Sequence, residues 1–303
     1  MTARETVPEA FRAIAREAVR LALKDGAQGA AARVAKVRDV GVQWRDGQIE
    51  QVTESTTRAL GLSLYVDGRF SSVNTSDLRP EALAFFITDA VAMTRTLAVD
   101  PCRELPDPAH YANRPDLDLE FADPDYATLT ASRRREMARA IEEAARSVAG
   151  ASHILSVTTG VSDSRSELFR VTSNGFEGER VDTSFWISGS VTVQDADGRR
   201  PEDGEHAGGR FLIDMGDPVA VGRESTKRAL ARLGATKAPS RVMTMVLDNR
   251  AAGRLVGALL GPLSASALQQ RRSFLEGRTG QSIGSPLLDL TDDPLVPRGL
   301  GSR

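Results

Sequence analysis

The sequence is poorest in the side chains that most often carry chemistry. One cysteine, Cys102, and three histidines stand among 303 residues. A single cysteine excludes an internal disulfide and suits a reducing compartment. His110, His153 and His206 are scattered, and none has a second His or Cys at ligand spacing. No H-E-x-x-H, C-x-x-C or H-x-H site can be assembled from them. Cys102 follows a proline, with no base or orienting partner inferable for a nucleophile. The Ser-x-x-Lys pattern is absent as well.

Two further shortages bound the function class. Neither sign of charge dominates: 39 basic residues face 41 acidic ones, a net charge of -2. Such a chain has no long-range field to recruit nucleic acid or anionic lipid. Long hydrophobic runs are also missing. No segment reaches the about 18 apolar residues of a membrane span, and the N-terminus lacks the uninterrupted core of a signal peptide. The expectation is a cytoplasmic protein with no membrane or direct nucleic-acid contact.

What is present is a regular succession of helix and strand patterns, and the fold class expected is α+β. "PEAFRAIAREAVRLALKDG" alternates charge with apolar positions at helical spacing, predicting a helix over 7–25. "ARVAKVRDVGVQW", "QIEQVTESTTRALGLSLYV" and "RFSSVNTS" then read as strands. Asp46-Gly47 and Asp67-Gly68 supply the hairpin turns of an antiparallel meander. A second helix follows, with Pro80 and Glu81 in its first turn. Residues 101–125 are rich in proline (101, 106, 108, 115, 124) and read as a linker or crossover.

The order then repeats without residue-level similarity. A helix at 127–149 leads into strand segments at 153–161, 167–174, 179–195 and 207–213, and a helix at 217–234 closes the unit. The glycines of "GVSDSRSELFRVTSNGFEGE" and "DGEHAGGRF" read as hairpin turns, since no G-x-G-x-x-G opens a helix. The basic run "SRRRE" (132–136) and the acidic pairs Glu142/Glu143 and Asp292/Asp293 read as solvated surface. The expected domains are 1–100, the 101–125 linker, 126–236, and the incomplete beginning of a β-rich C-terminal domain at 237–303. That last part offers a strand, "RVMTMVL", and a helix, "NRAAGRLVGALLGPLSASALQQ". A strand, a helix and a loop cannot bury a core by themselves.

Three stretches, in this order, resemble the TldD/PmbA family. They are "ESTTRALGLSLYVDGRFSSVNTSDLRPEALAFFITDAVAMTRTLAVDP", "VTSNGFEGERVDTSFWISGSVTVQDADGRRPEDG" and "RVMTMVLDNRAAGRLVGALLGPLSASALQQRRSFLEGRTGQSIGSPLLDLTDDP". In the TldD branch, the helix after the Val-Leu strand carries H-E-x-x-x-H and binds zinc. Here the two His positions fall on Val256 and Gly261, and the Glu position on Gly257. These residues cannot coordinate a metal or move a proton, so the chain resembles the non-zinc PmbA/TldE branch, with Val256, Gly257 and Gly261 expected to line the cleft. The same helix also reads as a core element through Leu255, Val256, Leu259, Leu260 and Leu263.

The resemblance implies no catalytic residue and no cofactor in this chain. It implies zinc in a TldD-like partner subunit, unfolded peptide as substrate, and a homo- or hetero-dimer. It also implies that extended peptide binds by strand addition, through main-chain hydrogen bonds. The alternative is a non-enzymatic protein-interaction or regulatory module. The final stretch, "LTDDPLVPRGLGSR", contains a thrombin-site-like Leu-Val-Pro-Arg-Gly. Asp292-Asp293-Pro294 and Gly299-Leu300-Gly301-Ser302 nevertheless follow the family's pattern, so the stretch is expected to be native, with further C-terminal sequence in the family beyond it.

Overall fold

The computed structural model describes residues 6–112 and 117–303. Residues 1–5 of the first expected unit, and Pro115 with the rest of 113–116, lie outside the described residues. Two compact parts are present, residues 1–234 with 294–303, and residues 235–293.

The larger part begins with α1 (Glu9–Lys24), followed by β1 (Gly29–Arg45), β2 (Gln48–Val66) and β3 (Arg69–Thr75). Asp46 and Asp67 have φ of 46° and 50°, and Gly47 and Gly68 follow at 86° and 71°. Consecutive positive φ values are what a tight two-residue hairpin needs, so both Asp-Gly signals act as expected. Helix α2 (Pro80–Thr94) and the single turn α3 (Ala109–Ala112) come next, then α4 (Ala131–Arg146), β4 (Ile154–Thr172), β5 (Glu177–Val193), β6 (Glu202–Gly209) and α5 (Pro218–Leu230). The Thr130 hydroxyl accepts the Arg133 N–H to cap α4, and Asp217 caps α5 ahead of Pro218.

The two expected meanders share one sheet. All six strands lie in the order β3-β2-β1-β4-β5-β6. β1 and β4 pair antiparallel from Ala31↔Thr172 to Arg45↔Thr158. Each is the first strand of its meander, and each would otherwise leave a long open edge; joining them removes both. The strand segments expected at 153–161 and 167–174 are one 19-residue strand, β4. Gly160, read as a turn glycine, therefore lies inside a strand. Asn174-Gly175 does mark a turn, between β4 and β5. The last strand runs over Glu202–Gly209 rather than 207–213.

The four long helices of the larger part, α1, α2, α4 and α5, cover the same face. Leu60, Leu62 and Leu64 of β2 and Ala30, Ala32 and Val34 of β1 alternate into a core with Ala15, Ala18 and Ala22 of α1 and Ile87 of α2. Further along the sheet, Val161, Phe185 and Ile187 pack with Ile141 of α4 and Val221 of α5. Gly222 lets α5 approach α4 closely, because a Cβ there would run into the Ile141 carbonyl. The Pro-rich segment crosses one end of the sheet, where Asn174 Nδ2 donates to the Pro106 carbonyl at 2.7 Å.

Residues 294–303 dock on the larger part. Arg298 N–H donates to the Leu119 carbonyl at 2.9 Å, and Arg210 Nε donates to the Gly299 carbonyl at 2.9 Å. Ser302 is buried.

The smaller part holds α6 (Asn249–Leu263) and α7 (Ala265–Gln269). Residues 241–247 form no strand among the described residues, and Val242, Met243, Met245 and Val246 are exposed. A strand needs a ladder partner for its N–H and C=O groups, and the pattern of these residues supplies none.

Candidate functional site

The face of the sheet away from the helices of the larger part bears a groove. Odd-numbered residues of β1 and β2 and even-numbered residues of β4 and β5 point there, as the register Gly41↔Ser162↔Trp186 requires. The groove has a volume of about 340 Å³ and is lined by Gly41, Gln43, Gln51, Thr53, Gly160, Ser162, Trp186 and Ser188 among others. Gly41 and Gly160 form its floor because they place no side chain on this face. A Cβ at Gly41 would come within 2.9 Å of the Thr53 hydroxyl, and one at Gly160 within 2.7 Å of the Ser188 hydroxyl. Trp186, 37% exposed, supplies the apolar wall and lies beside the His206 ring, 6.2 Å between centroids.

Hydroxyls and carboxamides of this kind hold polar main-chain groups without demanding one sequence, and an indole adds apolar contact. The sequence reading missed the groove. Its residues come from four strands, and its glycines pass for turn signals.

The helix-covered face also carries charge beside its apolar clusters. Arg134 Nε donates to Asp163 Oδ2 at 2.6 Å, with both side chains buried. Arg134 belongs to the basic run expected to be solvated; Arg133 and Arg135 are exposed, but Arg134 faces the sheet. Arg38 Nη1 donates to the Tyr126 hydroxyl at 3.1 Å and Arg38 Nη2 to Glu54 at 2.7 Å. Asp163 Oδ1 is buried without a hydrogen bond of good geometry. Its carboxylate still disfavours a phenolate at Tyr126: burial first, and Asp163 second, push that phenol up to about 12 against the opposing effect of Arg38.

Glu142 also departs from expectation. It is buried and accepts from Trp44 Nε1 at 2.5 Å, Gly47 N–H at 2.9 Å and Arg146 Nε at 2.8 Å. It ties α4 to the β1–β2 hairpin, whereas Glu143 is exposed.

The positions singled out by sequence lie on α6. Val256 is half-buried and Gly257 and Gly261 are exposed, and a Cβ at either glycine would meet nothing within 4 Å. Leu255, Leu260 and Leu263 of the same helix are exposed. Within residues 235–293 nothing packs against Gly257 or Gly261. A metal does not fit them, since none offers a donor side chain. Among the described residues no group of three or more His, Cys, Asp or Glu could hold a metal ion. His110, His153, His206 and Cys102 are all exposed and stand apart. Among the described residues no helix is long and apolar enough to cross a membrane.

Comparison with known proteins places these features in context. Residues 30–94, 124–233 and 240–303 match, in order, domain 1, the central domain and the C-terminal domain of the PmbA/TldA metallopeptidases. The chain is 28% identical over 301 residues to the Escherichia coli O157:H7 protein named metalloprotease PmbA, covering 97% of this chain and 65% of that protein. It thus spans just under two thirds of that relative's length. A Bacteroides thetaiotaomicron structure, named as a candidate modulator of DNA gyrase, is 32% identical with a TM-score of 0.91 and covers 98% of this chain and 67% of that one. The TldE structure from Thermococcus kodakarensis shares the fold, with a TM-score of 0.62 at 16% identity over 88% of this chain and 59% of that one.

Proposed function

This chain belongs to the TldD/PmbA metallopeptidase family, and from that premise we propose that it is a PmbA/TldE-like subunit of a metallopeptidase complex acting on unfolded peptides. Proteolysis is carried by a zinc-bearing, TldD-like partner, and this chain binds and orients the extended substrate. The observation that carries the reading is the chemistry of α6. By the family resemblance, Val256, Gly257 and Gly261 fall where the zinc branch carries its two His and its Glu, and these residues can neither hold a metal nor take a proton.

The groove supports the second half of the reading. Gln43 and Gln51 offer both donors and acceptors, Thr53, Ser162 and Ser188 offer rotatable hydroxyls, and Trp186 offers an apolar surface. Such a lining suits a substrate recognised through its main chain.

The test is metal analysis of the purified chain together with peptide hydrolysis assays. The expected result is no stoichiometric zinc and no hydrolysis by the chain alone. Chelator-sensitive hydrolysis should appear when an H-E-x-x-x-H partner is added. Stoichiometric zinc with chelator-sensitive hydrolysis by the chain alone would overturn the proposal. Co-purification with a partner lacking the zinc motif, and no gain of hydrolysis, would favour a non-enzymatic interaction module.

A further inference from the structure

The long second strand of the sheet has half of its outer edge unpaired. β3 covers β2 only from Leu60↔Thr75 to Val66↔Arg69. The other side of β2 is paired with β1 along its length, from Tyr65↔Gly29 to Gln48↔Arg45. Residues 48–58 are all exposed. The direction of their main-chain groups follows from the register. The Tyr65 carbonyl accepts the Gln28 N–H on the β1 side, at 2.9 Å. Pairing then runs without a shift from Gly29↔Tyr65 to Gln43↔Gln51. Odd-numbered residues therefore spend their N–H and C=O groups on β1. Those of Val52, Glu54, Thr56 and Arg58 point to the open edge, where no hydrogen-bond partner stands among the described residues.

Soluble proteins usually blunt such an edge with proline, lysine or a bulge. Residues 48–59, "QIEQVTESTTRA", contain no proline, lysine or glycine, and Ile49, Val52, Thr53, Thr56 and Thr57 favour an extended chain. The register shift opposite Gln43/Trp44 lies at the hairpin end and leaves 52–58 regular.

A second copy of the edge is a poor occupant. Antiparallel self-pairing centred on Glu54 would set two carboxylates directly opposite. Centring it on Thr56 would match Glu54 with Arg58, but it would drive each hairpin end into the slot filled by the other copy's β3. An extended peptide meets neither obstacle. On the groove side it would face Thr53, Ser55 and Thr57, small hydroxyl residues that tolerate many side chains, and Thr53 also lines the groove. On the helix side it would face Glu54 and Arg58, one charge of each sign.

We propose that the β2 edge from Val52 to Arg58 is the strand-addition site for unfolded peptide, which lies antiparallel to β2 and in line with β3. The proposal rests on the peptide-handling reading above and assigns it a location. Main-chain bonding supplies the affinity, which suits a substrate defined by being unfolded rather than by sequence.

The test is amide-resolved hydrogen exchange on the intact chain, with and without a saturating unstructured peptide of alternating serine and valine, flanked by lysines. The amides of Glu54, Thr56 and Arg58 should exchange fast in the free chain and slow by at least about tenfold with peptide. Those of Thr53, Ser55 and Thr57, already paired to β1, should change little. Thr56→Pro removes one outward donor without touching the β1 ladder and should weaken peptide binding, while Thr56→Ala should not. If Thr56→Pro fails to fold, the wild-type exchange pattern decides by itself. Protection confined to the groove around Trp186, or to any other surface, would overturn the edge site and leave the peptide-handling reading standing. No protection anywhere, together with no gain of hydrolysis in the zinc-bearing complex, would overturn both.

Discussion

Arg134 and Asp163 form an ion pair 2.6 Å long between α4 and β4, in a position closed to solvent on both sides. The pair sits where the apolar packing beneath α4 gives way to the charged middle of the sheet. Removing one partner leaves the other charge buried and uncompensated, which costs far more than losing a surface pair.

Arg134→Met should therefore lower stability by about 3–5 kcal/mol in urea unfolding. The double variant Arg134→Met/Asp163→Leu should recover most of that loss, because it removes both charges and keeps the volume. A single-variant loss below about 1 kcal/mol would mean that water reaches the pair.

The Glu142 carboxylate joins three donors from two elements, Trp44, Gly47 and Arg146. Glu142→Ala should cost about 2–3 kcal/mol, since hydrogen bonds to a buried charge are worth more than neutral ones. Freeing the Trp44 indole should also shift its fluorescence. Glu142→Gln keeps acceptor capacity and should lose less. Equal losses in the two variants would argue against charge-assisted bonding.

Tyr126 should ionise well above the usual phenol range. Its phenol is held at about 12 by burial and by Asp163, against an ordinary value of 10.0. A folded-state value above the unfolded one contributes stability that is complete below pH 10 and is lost as the pH rises through 12. Absorbance titration should show a late phenolate step near pH 12 that disappears in Tyr126→Phe. The same variant should flatten the stability profile in that window. A late step that survives the substitution would assign it to another residue.

Much of the fold was legible from local pattern. The helices over 7–25, 127–149 and 217–234 appear with frayed ends as Glu9–Lys24, Ala131–Arg146 and Pro218–Leu230. Their apolar spacing and their Pro or Thr/Asp starts act within a few residues of chain. The Asp-Gly hairpins were legible for the same reason. The strand expected over 241–247 failed because β propensity is realised only when another strand supplies the ladder.

The candidate site was far less legible. Glu142 and Arg134 look like surface charges in any helix written out alone, and only the direction each takes from α4 buries them. Gly160 looks like a turn until β1 and β5 flank it. The open edge of β2 is invisible in sequence because it depends on how soon β3 ends, not on any residue of β2.

Composition and spacing alone sufficed for an α+β chain with neither disulfide nor self-contained zinc motif, because those properties depend on which residues exist and how near they lie along the chain. Fusion of two meanders into one sheet, the burial of Arg134 with Asp163, and the unpaired stretch from Val52 to Arg58 were decided by tertiary pairing. They depend on contacts such as Val34↔Phe169 and on where β3 stops. Such pairings between distant segments leave no local periodicity to read.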